Sequence, residues 1–125
     1  MAAKSALAIV FLGILAASVA HVSGSAAAEY PARPVSFIVH TSPGGGTDIT
    51  ARTIADTLEK EKIVPQRIVV ENKAGGSGTI AINYMVGKKG DPYTIWIVGS
   101  NTLIVQPLRA KLKVTHRDFT PIALI

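Results

Sequence analysis

The chain has 125 residues, the size of one domain, with 13 lysines and arginines against 8 aspartates and glutamates, a formal net charge of +5 and no cysteine. The missing cysteine excludes disulfides and thiolate chemistry, and no two of the histidines His21, His40 and His116 have metal-ligand spacing, so neither a metal nor a cofactor is expected. The basic residues are spread along the chain without interleaved aromatics, which argues against nucleic acid and leaves a mild positive field favouring acidic small molecules.

The chain opens with the marks of a secretory signal peptide over residues 1–28. Lys4 gives a basic start, Ala6 to Ala20 is almost wholly apolar, and Ser25-Ala26-Ala27-Ala28 places small residues at a cleavage site. The apolar core is shorter than the roughly twenty residues a membrane span needs. Cleavage after Ala28 leaves residues 29–125, and the loss of Lys4 reduces the basic residues to twelve.

Glu29 to Pro34 is an extended lead-in with two prolines. Val35 to Val39 has the β-branched and aromatic composition of a buried strand. Pro43-Gly44-Gly45-Gly46 then breaks the strand, and Thr47 and Asp48 are N-cap residues. Ala51, Ile54, Ala55 and Leu58 recur with helical period, which predicts a helix to about Glu61, stopped by Pro65. Arg67 to Val70 reads as a second strand that Glu71 and Asn72 close, followed by a second glycine-rich loop from Ala74 to Gly78. A second helix is expected from Thr79, with Gly87-Lys88-Lys89-Gly90 closing it. Tyr93 to Val98 reads as the third strand, and Gly99 to Thr102 as a third polar loop. Leu103 to Leu112 is expected as a short helix interrupted at Pro107, and Pro121 to Ile125 as the start of a fourth strand.

This alternation predicts an α/β domain over residues 29–125, with a mostly parallel sheet and right-handed crossovers. In such a sheet the loops after the strands share one edge, where ligands bind. Each glycine loop ends at a helix N-terminus, where unsatisfied N–H groups and the positive end of the helix dipole favour an anion. The competing reading is that the glycines only make a turn while Thr47 or Asp48 caps the free amides.

Catalytic motifs are weak. Gly76-Ser77-Gly78-Thr79-Ile80-Ala81 spells G-x-G-x-x-A, but residues intervene between strand and glycines and no acidic residue ends a strand about twenty positions on, so a dinucleotide site is not expected. Ser42, Ser77 and Ser100 have no nucleophile-elbow frame, and His40 is expected to be packed or solvated rather than a base. Trp96 reads as core. The chain is expected not to be an enzyme, and a small exported hydrolase and a non-enzymatic envelope interaction module stand as the alternatives.

Several segments, in order and at compatible spacing, resemble the substrate-binding proteins of tripartite tricarboxylate transporters, the Bug family. They are Tyr30-Pro31 with Arg33-Pro34-Val35, Pro43-Gly44-Gly45 with Asp48 and Ala51-Arg52, Val69-Val70-Glu71-Asn72, Tyr93-Thr94, and Asp118-Phe119-Thr120-Pro121 with Ala123-Leu124-Ile125. The resemblance implies a periplasmic receptor whose two α/β lobes close on an organic acid and deliver it to membrane permease subunits. It implies substrate-binding roles for Ser42, Gly44, Gly45, Gly46, Thr47 and Asp48 in the first loop and for Ala74, Gly75, Gly76, Ser77, Gly78 and Thr79 in the second. Family members usually carry proline where His40 stands and aspartate-glycine-tyrosine where Asp91-Pro92-Tyr93 stands. They are about twice this length or more, so the resemblance implies one periplasmic-binding-protein lobe, a truncated form with the second lobe absent.

Overall fold

The computed structural model describes residues 29–124, so the expected signal peptide lies outside the described residues. Strand β1 spans Val35–Val39, helix α1 Gly46–Lys60, β2 Ile68–Asn72, α2 Thr79–Val86, β3 Thr94–Ile97 and α3 Gln106–Arg109. The strands form one sheet in the order β2-β1-β3, with both pairings parallel. Val35 stands opposite Ile68 and Val39 opposite Asn72 on one side, and Ser36 opposite Thr94 and Val39 opposite Ile97 on the other.

β1 is the central strand, and its composition explains the position. Val35, Phe37, Ile38 and Val39 are all buried, with Ile38 and Val39 at 0% exposure, as a strand covered on both faces requires. Burying one such side chain is worth about 1.5–3 kcal/mol relative to leaving it in water. Val35, Phe37 and Val39 point to one face and form a cluster with Ala51 and Ala55 of α1 and Ile68 of β2. Ile38 points to the other face. The chain leaves β1 for β2 on one side and then crosses back to β3 on the other. Two right-handed crossovers in opposite directions put α1 and α2 on opposite faces, and Ala81, Ile82 and Met85 of α2 are buried.

The lead-in is pinned beside the start of β3. The Tyr30 hydroxyl donates to the Pro92 carbonyl at 2.6 Å, the Ala32 N–H donates to the Tyr93 hydroxyl at 3.2 Å, and Arg33 pairs with Asp91 at 3.3 Å while lying 3.9 Å over the Tyr93 ring. Trp96 packs on Phe119 with ring centroids 5.2 Å apart, half-buried rather than at the centre of the core.

Four expectations need correction. β2 runs on through Glu71 and Asn72, because β1 supplies a parallel partner to both. The second helix ends in αR backbone at Gly87, and Gly90 takes the left-handed conformation (φ +81°) instead, after i→i+3 bonds that extend the turn through Lys89. Pro107 does not interrupt the third helical stretch. A widened π turn over Asn101–Val105 precedes α3 and opens the helix where the ring would meet the Leu103 carbonyl, and Pro107 is buried. No fourth strand forms among the described residues: Pro121 to Leu124 is irregular and exposed, and no strand pairs with it.

Candidate functional site

All three strands are parallel, so the loops that follow them emerge at one edge, and the crossovers part at the position where β1 and β3 lie side by side. That switch point is where an open α/β sheet has room for a ligand. A cleft of about 410 Å³ lies there. His40, Thr41 and Ser42 from the loop after β1 line it, together with Ala74, Gly75, Ser77 and Gly78 after β2, and Asn101, Thr102, Val105, Gln106 and Arg109 after β3. The two glycine loops therefore converge as their shared topology requires, and the third polar loop joins them.

The expected site residues divide in two. Ser42, Ala74, Gly75, Ser77 and Gly78 face the cleft, whereas Gly44, Gly45, Gly46, Thr47, Asp48, Gly76 and Thr79 do not line it. The reason for the first loop lies in Asp48. The residue is 2% exposed, and its carboxylate turns back on the loop and accepts from the Gly44 N–H at 2.8 Å. It also accepts from Arg52 through both oxygens, at 3.1 and 3.0 Å, and from Asn72 Nδ2 at 2.8 Å. The same Asn72 amine donates to the Thr41 carbonyl at 3.0 Å, and Arg52 donates to Asn72 Oδ1 at 3.2 Å. This network joins α1, β2 and the first loop. The Arg52 guanidinium foremost, then the Gly44 N–H and Asn72, holds the Asp48 carboxyl down to about 2. Asp48 braces the loop and has no donor capacity to offer an anion. Gly45 is the N-cap and has no side chain to fill that role.

The second loop keeps its amides in an unusual backbone. Gly75, Gly76, Ser77 and Gly78 have φ of +124°, +55°, +52° and +98°, four consecutive residues in the left-handed half of the map. A non-glycine residue there costs about 1–2 kcal/mol, so Ser77 stores local strain. Successive backbone amides in such conformations can point to one side and form an anion-binding concavity. Gly78 is where the three loops meet. A Cβ built on it would lie 2.4 Å from Thr102 Cγ2 and 3.7 Å from His40 Cδ2.

His40, Thr41, Asn101, Thr102, Val105, Gln106 and Arg109 complete the lining, and only the presence of the third polar loop was foreseeable, from the parallel topology. Burial lowers the His40 pKa, and no other cause contributes. Its Nδ1 is buried without a hydrogen-bond partner, as is Thr41 Oγ1 beside it. Among the described residues no serine donates to that nitrogen. Among the described residues that line the cleft, Arg109 is the one formally charged at neutral pH, and none is a carboxylate. No cluster of three or more potential metal ligands exists among the described residues.

Hydroxyl, amide and carboxamide donors gathered at the strand ends suit the class of proteins that bind a solute. Known proteins narrow this class. Residues 49–125 match the family described as "Tripartite tricarboxylate transporter family receptor". Protein BugT of Bordetella pertussis is 31% identical over 117 residues, which cover 91% of this chain and 35% of that protein. The crystal structure of a TctC solute binding protein from Polaromonas superposes with a TM-score of 0.63 at 36% identity, covering 74% of this chain and 31% of that one. A second structure, of a periplasmic transporter, superposes with a TM-score of 0.62 at 36% identity, over 70% of this chain and 29% of that one. The chain belongs to the tripartite tricarboxylate transporter receptor family, whose members are substrate-binding proteins rather than enzymes. It spans about a third of the length of these relatives, and its fold is part of theirs.

Proposed function

We propose that this chain forms the first-lobe half-site of an exported, periplasmic receptor for organic di- and tricarboxylates that serves the permease subunits of a tripartite tricarboxylate transporter. The observation that supports this most is the convergence of three donor-rich loops on a cleft whose lining, among the described residues, holds one guanidinium and no acid. One carboxylate of the ligand sits against the amides and hydroxyls of Ser42 and Ser77, with the unpartnered polar atoms of Thr41 and His40 beneath them. A second carboxylate pairs with Arg109 across the cleft. Because burial lowers the His40 pKa, the ring is neutral at pH 7 and serves as a hydrogen-bonding group rather than a charge.

Affinity follows from exposure. A charge-assisted hydrogen bond contributes about 1.5–3 kcal/mol where water is excluded, but helix-end and ion-pair terms fall to a few tenths of a kcal/mol in open solvent. The cleft of this lobe is open, so the entropy of association leaves dissociation constants near or above about 1 mM for this chain. Calorimetry of the expressed full-length chain against citrate, succinate and butyrate tests the reading. Citrate and succinate are expected to bind more tightly than butyrate, and Arg109→Gln, at an exposed position, is expected to remove that preference. Equal binding of all three acids, or micromolar binding of any, overturns the assignment. Export predicts an N-terminus at Glu29 for protein recovered from the cell envelope, and recovery with Met1 intact contradicts it.

A further inference from the structure

The strained glycine loop does not hold its shape through its own bonds alone. Within it, the Gly78 N–H donates to the Gly75 carbonyl at 2.9 Å and the Thr79 N–H donates to the Gly76 carbonyl, whose second lone pair is open to a further donor. That further donor comes from thirty residues away. Gln106 Nε2, on the first turn of α3, donates to the Gly76 carbonyl at 3.0 Å and to Thr79 Oγ1 at 3.1 Å. One carboxamide thus grips the carbonyl of the second residue of the left-handed run and the first residue of α2, just past its end. Between those two points lie Ser77 and Gly78, two of the loop residues that face the cleft.

From this geometry we propose that Gln106 is a positioning residue that holds the Gly75–Gly78 loop in its donor conformation and so sets ligand affinity. The clasp acts in both directions. Gln106 and Arg109 are three residues apart in α3, the spacing that brings side chains to one helix face, and both line the cleft. Docking Gln106 on the loop therefore also fixes where Arg109 stands. Seated against Gly78 from the same segment, Thr102 supplies packing, while Gln106 supplies the hydrogen bonds that a left-handed serine needs if it is not to relax.

The consequence for affinity rests on the cleft being the ligand site, and the test separates the two ideas. Gln106→Glu keeps the length and shape of the side chain but cannot donate to the Gly76 carbonyl, while Gln106→Ala removes both contacts. In the expressed full-length chain without added ligand, amide exchange at Gly78 and Thr79, whose N–H groups bond within the loop, is expected to rise about two- to tenfold in both variants when measured by NMR, the range set by the net worth of one hydrogen bond. The amides of Val35–Val39 serve as the internal reference and are expected to be unchanged. Citrate affinity is expected to fall by a similar factor in both. Wild-type exchange in both variants overturns the clasp. Wild-type behaviour in Gln106→Glu with a change only in Gln106→Ala shows that the side chain merely fills space, and also overturns it. Faster exchange with unaltered citrate affinity overturns the role in binding. If the wild-type chain binds no carboxylate, the proposed function falls, and the exchange data still decide whether Gln106 holds the loop.

Discussion

Replacing Gly78 by alanine puts the close approach of the three loops to a quantitative test. Two costs are separable. The backbone at Gly78 has φ +98°, and an alanine there loses about 1–2 kcal/mol against the left-handed region. The new Cβ would also stand 2.4 Å from Thr102 Cγ2, more than 1 Å inside the roughly 3.5–4.0 Å optimum for two carbons. Thr102 is β-branched and has little rotamer freedom with which to retreat, so overpacking adds about 1–3 kcal/mol. The substitution should therefore cost about 2–5 kcal/mol, a large part of the 5–15 kcal/mol that a domain commonly has. Thr102→Ser deletes the offending methyl and on its own should cost about 0.5–1.5 kcal/mol. In the double variant the clash disappears and only the backbone cost remains, so the two substitutions should couple favourably by about 1–3 kcal/mol. Urea unfolding followed by circular dichroism, with an unchanged denaturant slope as the check on two-state behaviour, measures all four corners of the cycle. Additivity within about 0.5 kcal/mol would refute the steric argument. A cost below about 1 kcal/mol for Gly78→Ala alone would refute the backbone argument as well.

Acid should weaken the fold through Asp48. Its folded pKa of about 2 lies below the unfolded value near 3.8, so the unfolded chain binds more protons in that window. The contribution is complete above pH 4 and disappears as pH falls through about 2. Asp48→Asn should be less stable at pH 7 and should show a shallower loss between pH 4 and 2, measured by thermal unfolding in a pH series; an acid slope identical to wild type would contradict the network. Gly45→Val should also destabilise, by about 1–3 kcal/mol, since its Cβ would lie 2.9 Å from Thr41 Cβ and must push the cleft-lining Thr41 aside. Unchanged stability and citrate affinity in that variant would show that the first loop can yield at no cost.

The parts of the fold legible in the sequence are those governed by neighbours within a few residues. The β-branched run Val35–Val39 became β1 with the same boundaries, and the stripe Ala51, Ile54, Ala55 and Leu58 became the sheet-facing side of α1, because alternation and helical period are properties of a local segment. Parallel strands then oblige the loops after them to share an edge, so the meeting of the two glycine loops was also implied before any contact was known. The limits appear where a local rule meets a distant partner. Pro107 reads as a helix breaker, yet a π turn accommodates it, and Pro121 to Ile125 reads as the start of a strand, yet among the described residues no strand pairs with Pro121 to Leu124.

Tertiary structure alone decided which polar groups face the cleft. Asp48 has the composition of a cap or an anion-site residue, and what commits it inward is Asn72, brought to it from 24 residues away by the register of β2 on β1. Gln106 carries no local signal at all. Its role arises because the helical stretch after β3 folds back over a loop thirty residues earlier and places one carboxamide within 3.0 Å of the Gly76 carbonyl. Hydrogen bonds act over about 3 Å, whereas sequence periodicity fixes an element's length and buried face but neither its rotation nor its offset against its neighbours. A shift of one residue in strand register would exchange the side chains that meet, and so the identity of the site is a property of packing.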